Sequence, residues 1–293
     1  MTFAADTSQL AASQTTVVSA QANFDLARRR LAGGIASQLD VSSARTIVEQ
    51  ARADVALYTT LVAQDRNALE LVVGAPVASA DLPGGIDDPA TLIGTVPGAL
   101  DSRILLQRPD VVEAEHTLRS ANANIGAARA AFFPSISLTG SGGTESKSIS
   151  GLFSGGSAVW SFAPSITLPI FTAGANKAHL GYARAEDQIA VAQYEKAIQT
   201  AFREVADTLA QSGTIAERLR AQQAEVAAAE ESLHLAEALY ARGSDSYLDV
   251  LTAQRTYYAA QQSLISVQLV KSDNVITLYK VLGGALRDRI ASP

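Results

Sequence analysis

The chain has 293 residues, of which 47% are hydrophobic and 18% charged, and its formal net charge is −6. This acidic balance argues against a general nucleic-acid binder, because neutralising phosphates requires a basic face. The lack of cysteine excludes disulfides, thiolate nucleophiles and cysteine-ligated metals. No apolar run approaches the roughly 20 residues of a membrane-spanning helix. Composition alone therefore predicts a soluble helical protein.

The first quarter of the chain predicts two helices joined by a tight turn. Residues 7–32 are rich in Ala, Gln, Leu and Arg and contain no proline, which favours a helix. Gly33 and Gly34 end that helix, and Ser37 or Asp40 can cap a second helix that runs to residue 73.

A change of composition follows the second helix. Residues 75–104 are rich in Pro, Gly and Asp and predict an extended linker. A third helix is predicted from Pro109 to about Ala131, because proline is favoured in a first turn and Asp110 suits the positive end of the helix dipole.

The pattern then alternates with the period of a β-strand, in two stretches separated by a loop rich in Gly and Ser. Alternation of this kind over about 9–11 residues is typical of a transmembrane β-hairpin, apolar toward lipid and polar toward a lumen. A half-buried hairpin of a soluble domain is the alternative that the strands by themselves favour. The expected membrane-facing side chains are Ile136, Leu138, Trp160, Phe162, Ile166, Leu168 and Ile170.

An uninterrupted helical pattern extends from Gly174 to about Ala241, which corresponds to roughly 100 Å at 1.5 Å per residue. A helix of this length needs other long helices to pack against. Gly243 turns the chain back, and Tyr247 to Leu282 predict a return helix.

The chain contains an internal repeat with an offset of 209 positions. The pattern Gly-x-x-Ser-x-Leu-Asp-Val-x-x-Ala begins at Gly34 and again at Gly243, and the register continues without gaps to Gly74 and Gly283. A period this long indicates duplicated supersecondary units. The offset places Met1 opposite Ala210, in the middle of the long helix. We therefore expect the chain to begin within an element of the first repeat.

Several segments in order resemble the outer-membrane efflux protein family of TolC-like channels, most closely the lipoprotein branch that serves resistance–nodulation–division pumps. The resemblance covers nearly the whole chain. It is carried by residues 127–136, 169–174, Tyr194 with 201–205, 243–250 and 279–284.

The resemblance implies a mainly α fold, with long antiparallel helical hairpins and one transmembrane β-hairpin, in a protomer that lacks its first β-hairpin. It implies a homotrimer in outer-membrane lipid, with helices in the periplasm, that works with a periplasmic adaptor protein and an inner-membrane transporter. It implies no catalytic site, cofactor, metal or nucleic acid. The expected function is a passive exit duct for drugs, metals or other small solutes.

On this basis we expect six segments along the chain. Residues 1–74 form a helical hairpin that ends the first repeat, 75–104 a linker in the equatorial region, and 105–133 the helix that opens the second repeat. Residues 134–172 form the transmembrane hairpin with its external loop. Residues 173–283 form a long helical hairpin with a periplasmic tip near 242–249, and 284–293 form a tail.

The two helix–turn–helix tips are the expected functional sites. By resemblance, Asp40, Asp249 and Tyr240 match gate residues, whereas Asp245 stands where some members carry a basic latch residue. A ring of carboxylates at a constriction repels itself and attracts cations. Helix capping by the two aspartates is an equally good explanation of their position. The residues expected to contact the adaptor are Gly34, Ser37, Leu39, Gly243, Ser246 and Leu248.

Two other functions stay open at this point. The channel of a type I protein-secretion system belongs to the same family. A soluble coiled-coil scaffold without a pore is the alternative from a different class. His116, His179 and His234 have no spacing typical of metal ligands, and no phosphate-binding loop or nucleophile motif occurs.

Overall fold

The computed structural model describes residues 1–86 and 102–284, in two compact units. The first unit comprises Met1–Leu100 with Glu204–Pro293, and the second comprises Asp101–Arg203. The linker and the tail expected at 75–104 and 284–293 lie in part outside the described residues. The elements in chain order are α1 Thr2–Ala32, α2 Gln38–Val73, α3 Pro109–Ala130, β1 Ser135–Thr144, β2 Ala158–Thr167, α4 Ala175–Arg242 and α5 Tyr247–Val281.

The helices begin and end where the sequence places its capping residues. Ser37 is the N-cap of α2, and Gly74 ends that helix in the left-handed conformation at φ +75°. Pro109 opens α3, where a missing N–H costs nothing. The predicted long helix is α4, a single helix of 68 residues. α1 starts at Thr2, five residues before its expected start.

The first unit buries an apolar cluster between α1, α2, the end of α4 and the start of α5. Alanine supplies much of this cluster, which lets the helix backbones approach closely. The larger members come mostly from α2 and α5. The buried members are Ala20, Ala27, Val41, Ala44, Ile47, Val48, Leu233, Tyr240, Tyr247, Val250, Leu251 and Ala253.

Buried and half-buried polar side chains join the helices of the first unit at two further levels. Ser13 Oγ lies 2.8 Å from Tyr258 Oη, which donates to Asp54 Oδ2 at 2.9 Å. The amide of Asn274 donates to Thr208 O at 3.0 Å and accepts from Ser212 Oγ at 2.6 Å. These bonds satisfy polar groups that would otherwise be costly to bury.

In the second unit, an ion pair lies at the start of α3. Arg108, whose side chain is 9% exposed, donates from Nε and Nη2 to the two carboxylate oxygens of Asp110 at 3.0 and 2.7 Å. These hydrogen bonds lower the pKa of Asp110, the opposite effect to its partial burial. Asp110 also accepts from the Val111 N–H, so it stabilises the first turn of the helix.

The two strands form an antiparallel hairpin with a continuous register from Ser135 opposite Thr167 to Thr144 opposite Ala158. Side chains on one face are Ile136, Leu138, Trp160, Phe162, Pro164 and Ile166, with Gly140 and Gly142 between them. The opposite face carries cross-strand hydroxyl pairs, Ser137 with Ser165 and Ser141 with Ser161, each at 2.7 Å.

The expected extension of the second strand through Ile170 is wrong, because β2 ends at Thr167. Leu168 and Ile170 therefore lie beyond the strand. β1 begins at Ser135, opposite Thr167, so Leu168 has no partner residue within β1. The chain then turns through Ala173 at φ +49° and Gly174 at φ +85° into α4.

Among the described helices, none has a stretch both long enough and apolar enough to cross a membrane. Over residues 1–86 and 102–284 the fold is mainly α with one antiparallel β-hairpin, as the sequence predicts.

Candidate functional site

The first tip, residues 33–40, reverses the chain between α1 and α2. Gly34 adopts φ +73° and donates its N–H to Leu31 O at 2.9 Å, while Ile35 N–H bonds to Arg30 O at 3.0 Å. This pair of bonds is a Schellman motif, which favours glycine at the left-handed position. The glycine therefore sets the direction in which α2 leaves the turn.

A capping box begins α2 within the first tip. Ser37 Oγ accepts from the Asp40 N–H at 3.1 Å, and Asp40 Oδ2 accepts from the Ser37 N–H at 2.8 Å. Two otherwise unbonded helix N–H groups are thus satisfied. Asp40 therefore caps α2, which is one of the two explanations that the sequence offers for its position; the other is a charged gate.

The second tip, residues 242–249, repeats the turn but not the capping box. Gly243 has φ +78° and forms the same Schellman bonds, to Tyr240 O at 2.9 Å and from Ser244 N–H to Leu239 O at 3.0 Å. Here Asp245 Oδ1 accepts from the Ser246 N–H at 2.8 Å.

Asp249 is consequently displaced from the role that Asp40 has in the first tip. It accepts instead from Ser246 Oγ at 2.6 Å, and that hydrogen bond lowers the pKa of Asp249. Asp245, which takes the Ser246 N–H, corresponds in the first repeat to Ala36, which has no side-chain acceptor. The two tips have the same backbone turn but differ in the hydrogen bonds that their carboxylates accept.

Tyr240 lies between the two tips in the packed cluster. The Tyr240 and Tyr247 rings pack edge to face, with their centroids 5.3 Å apart. The guanidinium carbon of Arg30 lies 4.3 Å from the centroid of the Tyr240 ring. Neither phenol oxygen has a hydrogen-bond partner within the described part of the chain. Burial raises the pKa of Tyr240 and raises that of Tyr247 to about 12, with the nearby charge of Asp40 adding to both.

Sequence reasoning missed Arg30. It lies 210 positions from Tyr240 and stands in a run of three arginines, Arg28 to Arg30, with no local feature to separate it from its neighbours. The internal repeat gave one signal that could have found it: the residue 209 positions later, in the second repeat, is the apolar Leu239.

Both tips present apolar side chains outward. Leu39 is 73% exposed and Leu248, its counterpart in the repeat, is 65% exposed. Ile35 in the first tip is also exposed. Gly34, Ser37, Gly243 and Ser246 are exposed beside them, so the expected contact residues form the outer surface of each tip.

The hairpin exposes its apolar face as fully as its polar face. Trp160 is 82%, Ile136 76% and Ile166 71% exposed, and every residue of both strands is exposed. Leu138 and Phe162 are exposed on the same face. These side chains are therefore not packed into a soluble core, the arrangement that would have contradicted a membrane-facing role.

Within residues 1–86 and 102–284, no three His, Cys, Asp or Glu side chains come together as a metal site. His116 lies in an open groove with Glu113 on α3 and with Tyr182 and Glu186 on α4. All four are exposed to solvent.

The described residues thus combine a hairpin that has one apolar and one hydroxyl-bearing face with two long helical hairpins, the features that the family resemblance implies. The family model described as "Outer membrane efflux protein" matches residues 1–75 and 100–284. The chain belongs to this family.

Relatives and solved structures agree with this assignment. The solvent efflux pump outer membrane protein SrpC of Pseudomonas putida is 51% identical, over 86% of this chain and 53% of its own. The cation efflux system protein CusC of Escherichia coli is 42% identical, over 94% of this chain and 60% of its own. The chain therefore spans little more than half the length of these relatives.

The solved structures show the same fold. A crystal structure of CusC gives a TM-score of 0.79 at 41% identity, covering 96% of this chain and 66% of that one. The crystal structure of the open state of the Neisseria gonorrhoeae MtrE outer membrane channel gives a TM-score of 0.75 at 40% identity. The match covers 97% of this chain and 66% of that one.

Proposed function

We propose that this chain forms part of a passive exit duct in the outer membrane, as the outer component of a tripartite efflux pump. In this proposal it assembles as a homotrimer, a periplasmic adaptor docks on its tips, and an inner-membrane transporter supplies the energy. Family membership supports the proposal. The names of relatives support it too: three are outer membrane proteins of solvent, toluene and antibiotic efflux pumps, and CusC is a protein of a cation efflux system.

The observation that carries the proposal is the two-faced hairpin. Ile136, Trp160 and Ile166 are largely exposed on one face, while serine pairs line the other. Exposing a large apolar face to water is costly, whereas in a bilayer it would face lipid. The hydroxyl face would then face an aqueous lumen, as in transmembrane β-barrels.

Trp160 provides a direct test, because it is the single tryptophan of the chain. With the purified protein reconstituted in phospholipid vesicles, we expect its emission to shift to shorter wavelength and to be quenched by lipids brominated on their acyl chains. Emission that stays at the water-exposed wavelength and is quenched by aqueous iodide would contradict the membrane-facing role.

A matched pair of variants separates the two faces. Trp160→Phe combined with Phe162→Trp keeps the reporter on the apolar face, and brominated lipid should still quench it. Trp160→Phe combined with Ser161→Trp moves it to the hydroxyl face, where iodide should quench it instead. Identical quenching of the two variants would show that the faces do not differ in environment.

We also propose that the tips act as entrance and docking surface. Asp40 and Asp249 would contribute charge at the constriction, with Asp245 and Tyr240 beside them. Support comes from the ionised form that the hydrogen bond to Ser246 favours at Asp249. The exposed Leu39 and Leu248, with the surrounding Gly34, Ser37, Gly243 and Ser246, would contact the adaptor.

Capping and a charged entrance can be separated by Asn substitutions. Asp40→Asn and Asp249→Asn keep a side-chain oxygen that can accept a hydrogen bond but remove the charge. In a channel assembled from a polypeptide that contains this chain, cation preference in a salt gradient should fall. An unchanged reversal potential with intact folding would leave Asp40 and Asp249 as capping residues alone.

A further inference from the structure

Arg30 makes a set of contacts that the proposed function does not use. It stands in the last turn of α1, before the first tip, yet its guanidinium reaches the end of α4 in the second tip. Arg30 Nη1 donates to Tyr240 O, and its guanidinium carbon lies 4.3 Å above the Tyr240 ring. A Cβ placed on Gly243 would lie 3.6 Å from Arg30 Nη2.

The position of these contacts is chemically favourable. Tyr240 O already accepts from the Gly243 N–H, as part of the Schellman motif that ends α4. The carbonyls of a last helical turn carry partial negative charge, so a cation placed there is stabilising. A guanidinium can donate to a carbonyl and stack on an aromatic face at the same time, which an ammonium does less well.

The contact is largely shielded from water, since Tyr240 is 5% exposed. Arg30 Nε is buried without a hydrogen-bond partner among the described atoms, a cost that the other contacts of the guanidinium have to offset. A second polar contact joins the same two helices, because Asn23 Nδ2 donates to Glu237 Oε1 at 2.9 Å. The end of α4 is thus held by side chains of α1 as well as by its own turn.

We propose that Arg30 is a positioning residue for the second tip: it caps α4 from the neighbouring hairpin and fixes the second tip against the first. The last turn of α4 has one basic residue of its own, Arg242, and Arg30 adds a second cation from α1. Motion that separates the two tips has to break the contacts of Arg30. This consequence for entrance opening rests on the proposed channel function, whereas the positioning role does not.

Hydrogen exchange measured on the full chain tests the positioning role. Arg30→Met keeps the aliphatic stem and removes the charge and the donors. We expect peptides spanning 239–247 to exchange about tenfold faster, because a hydrogen bond from a charged group and the protection of the Gly243 and Ser244 amides are lost. Arg30→Lys should restore part of the protection, because it keeps the charge and a donor but not the planar stacking.

Arg29→Met is the matched control, because Arg29 is the adjacent arginine and is exposed. Peptides of α3 in the other unit provide the reference for general unfolding. The proposal is overturned if Arg30→Met and Arg29→Met exchange equally at 239–247, or if exchange rises to the same extent in α3.

A double-mutant cycle with Tyr240→Leu, the residue found at the repeat counterpart Leu31, distinguishes stacking from a diffuse effect of charge. Once the ring is absent, Arg30→Met should raise exchange by a smaller factor. Strictly multiplicative effects would overturn the stacking part of the proposal.

Conductance provides the separate test of the consequence for opening. In bilayers, a channel that contains Arg30→Met should open more often than one that contains Arg29→Met. Faster exchange without any conducting channel would contradict the proposed function and still support the positioning role of Arg30.

Discussion

The hydroxyl of Tyr258 on α5 donates to Asp54 Oδ2 on α2 at 2.9 Å and lies 2.8 Å from Ser13 Oγ on α1. One side chain therefore joins three helices through hydrogen bonds. Its partners lie 204 and 245 positions away in the chain, so this contact specifies the tertiary arrangement of the first unit.

Tyr258→Phe should destabilise the first unit by about 1–2 kcal/mol, because it leaves a partly buried carboxylate and a buried serine without this partner. Chemical denaturation followed by circular dichroism measures the loss. Tyr257→Phe is the control, since its hydroxyl contacts exposed Glu230 at 3.4 Å, and it should cost less than about 0.5 kcal/mol. Equal losses in the two variants would contradict the role of the three-helix contact.

Alkaline pH should weaken the first unit through the same residue. Burial, with added effects of Asp54, raises the pKa of Tyr258 to about 12, and burial raises that of Tyr247 to about 12. An unfolded tyrosine titrates near pH 10, so the folded state keeps its proton longer. This stabilisation is complete below about pH 10 and is lost as the pH rises through about 12. Denaturation midpoints measured across this window should fall less steeply in Tyr258→Phe than in the unmodified chain.

Tyr247→Phe should have the opposite effect on stability to Tyr258→Phe at neutral pH. The Tyr247 side chain is 3% exposed, and its hydroxyl has no partner among the described residues. Removing a buried, unpaired hydroxyl while keeping the ring costs little and is often stabilising. A denaturation midpoint that is unchanged or raised in Tyr247→Phe would agree with this geometry. A loss as large as that of Tyr258→Phe would reveal a hydrogen bond made by Tyr247 in the protein.

The two tips should respond differently to loss of their N-cap serines. Ser37→Ala removes a side-chain acceptor from a helix N–H and should cost about 1 kcal/mol. Ser246→Ala should cost less, because Ser246 Oγ bonds to the exposed Asp249 carboxylate and not to a backbone N–H.

Asp245→Ala should convert the second tip to the arrangement of the first. With Asp245 absent, Asp249 can accept from the Ser246 N–H and Ser246 can accept from the Asp249 N–H, which restores a capping box. In this background Ser246→Ala should cost as much as Ser37→Ala. An unchanged, small cost would show that Asp245 does not control the cap.

The candidate site could be predicted from the sequence to the extent that its geometry is local. The turns need a left-handed residue followed by a capping residue, and Gly34 with Ser37 and Gly243 with Ser246 supply them within four positions. The exchange of carboxylate roles at Asp245 was not foreseen. It depends on which of two nearby acceptors reaches one N–H, and helical and strand periodicity carries no information on that competition.

By itself, the sequence determined the helix and strand types, the turns and the family, because each follows from short-range preferences repeated over many residues. The end of β2 at Thr167 depended on cross-strand pairing with β1, which begins opposite it at Ser135. The contacts of Arg30 with Tyr240, and of Tyr258 with Ser13 and Asp54, were decided by tertiary structure alone. The physical reason is that alanine-rich helices offer many nearly equivalent faces. Only lateral packing selects which side chains, some 200 residues apart, come into contact.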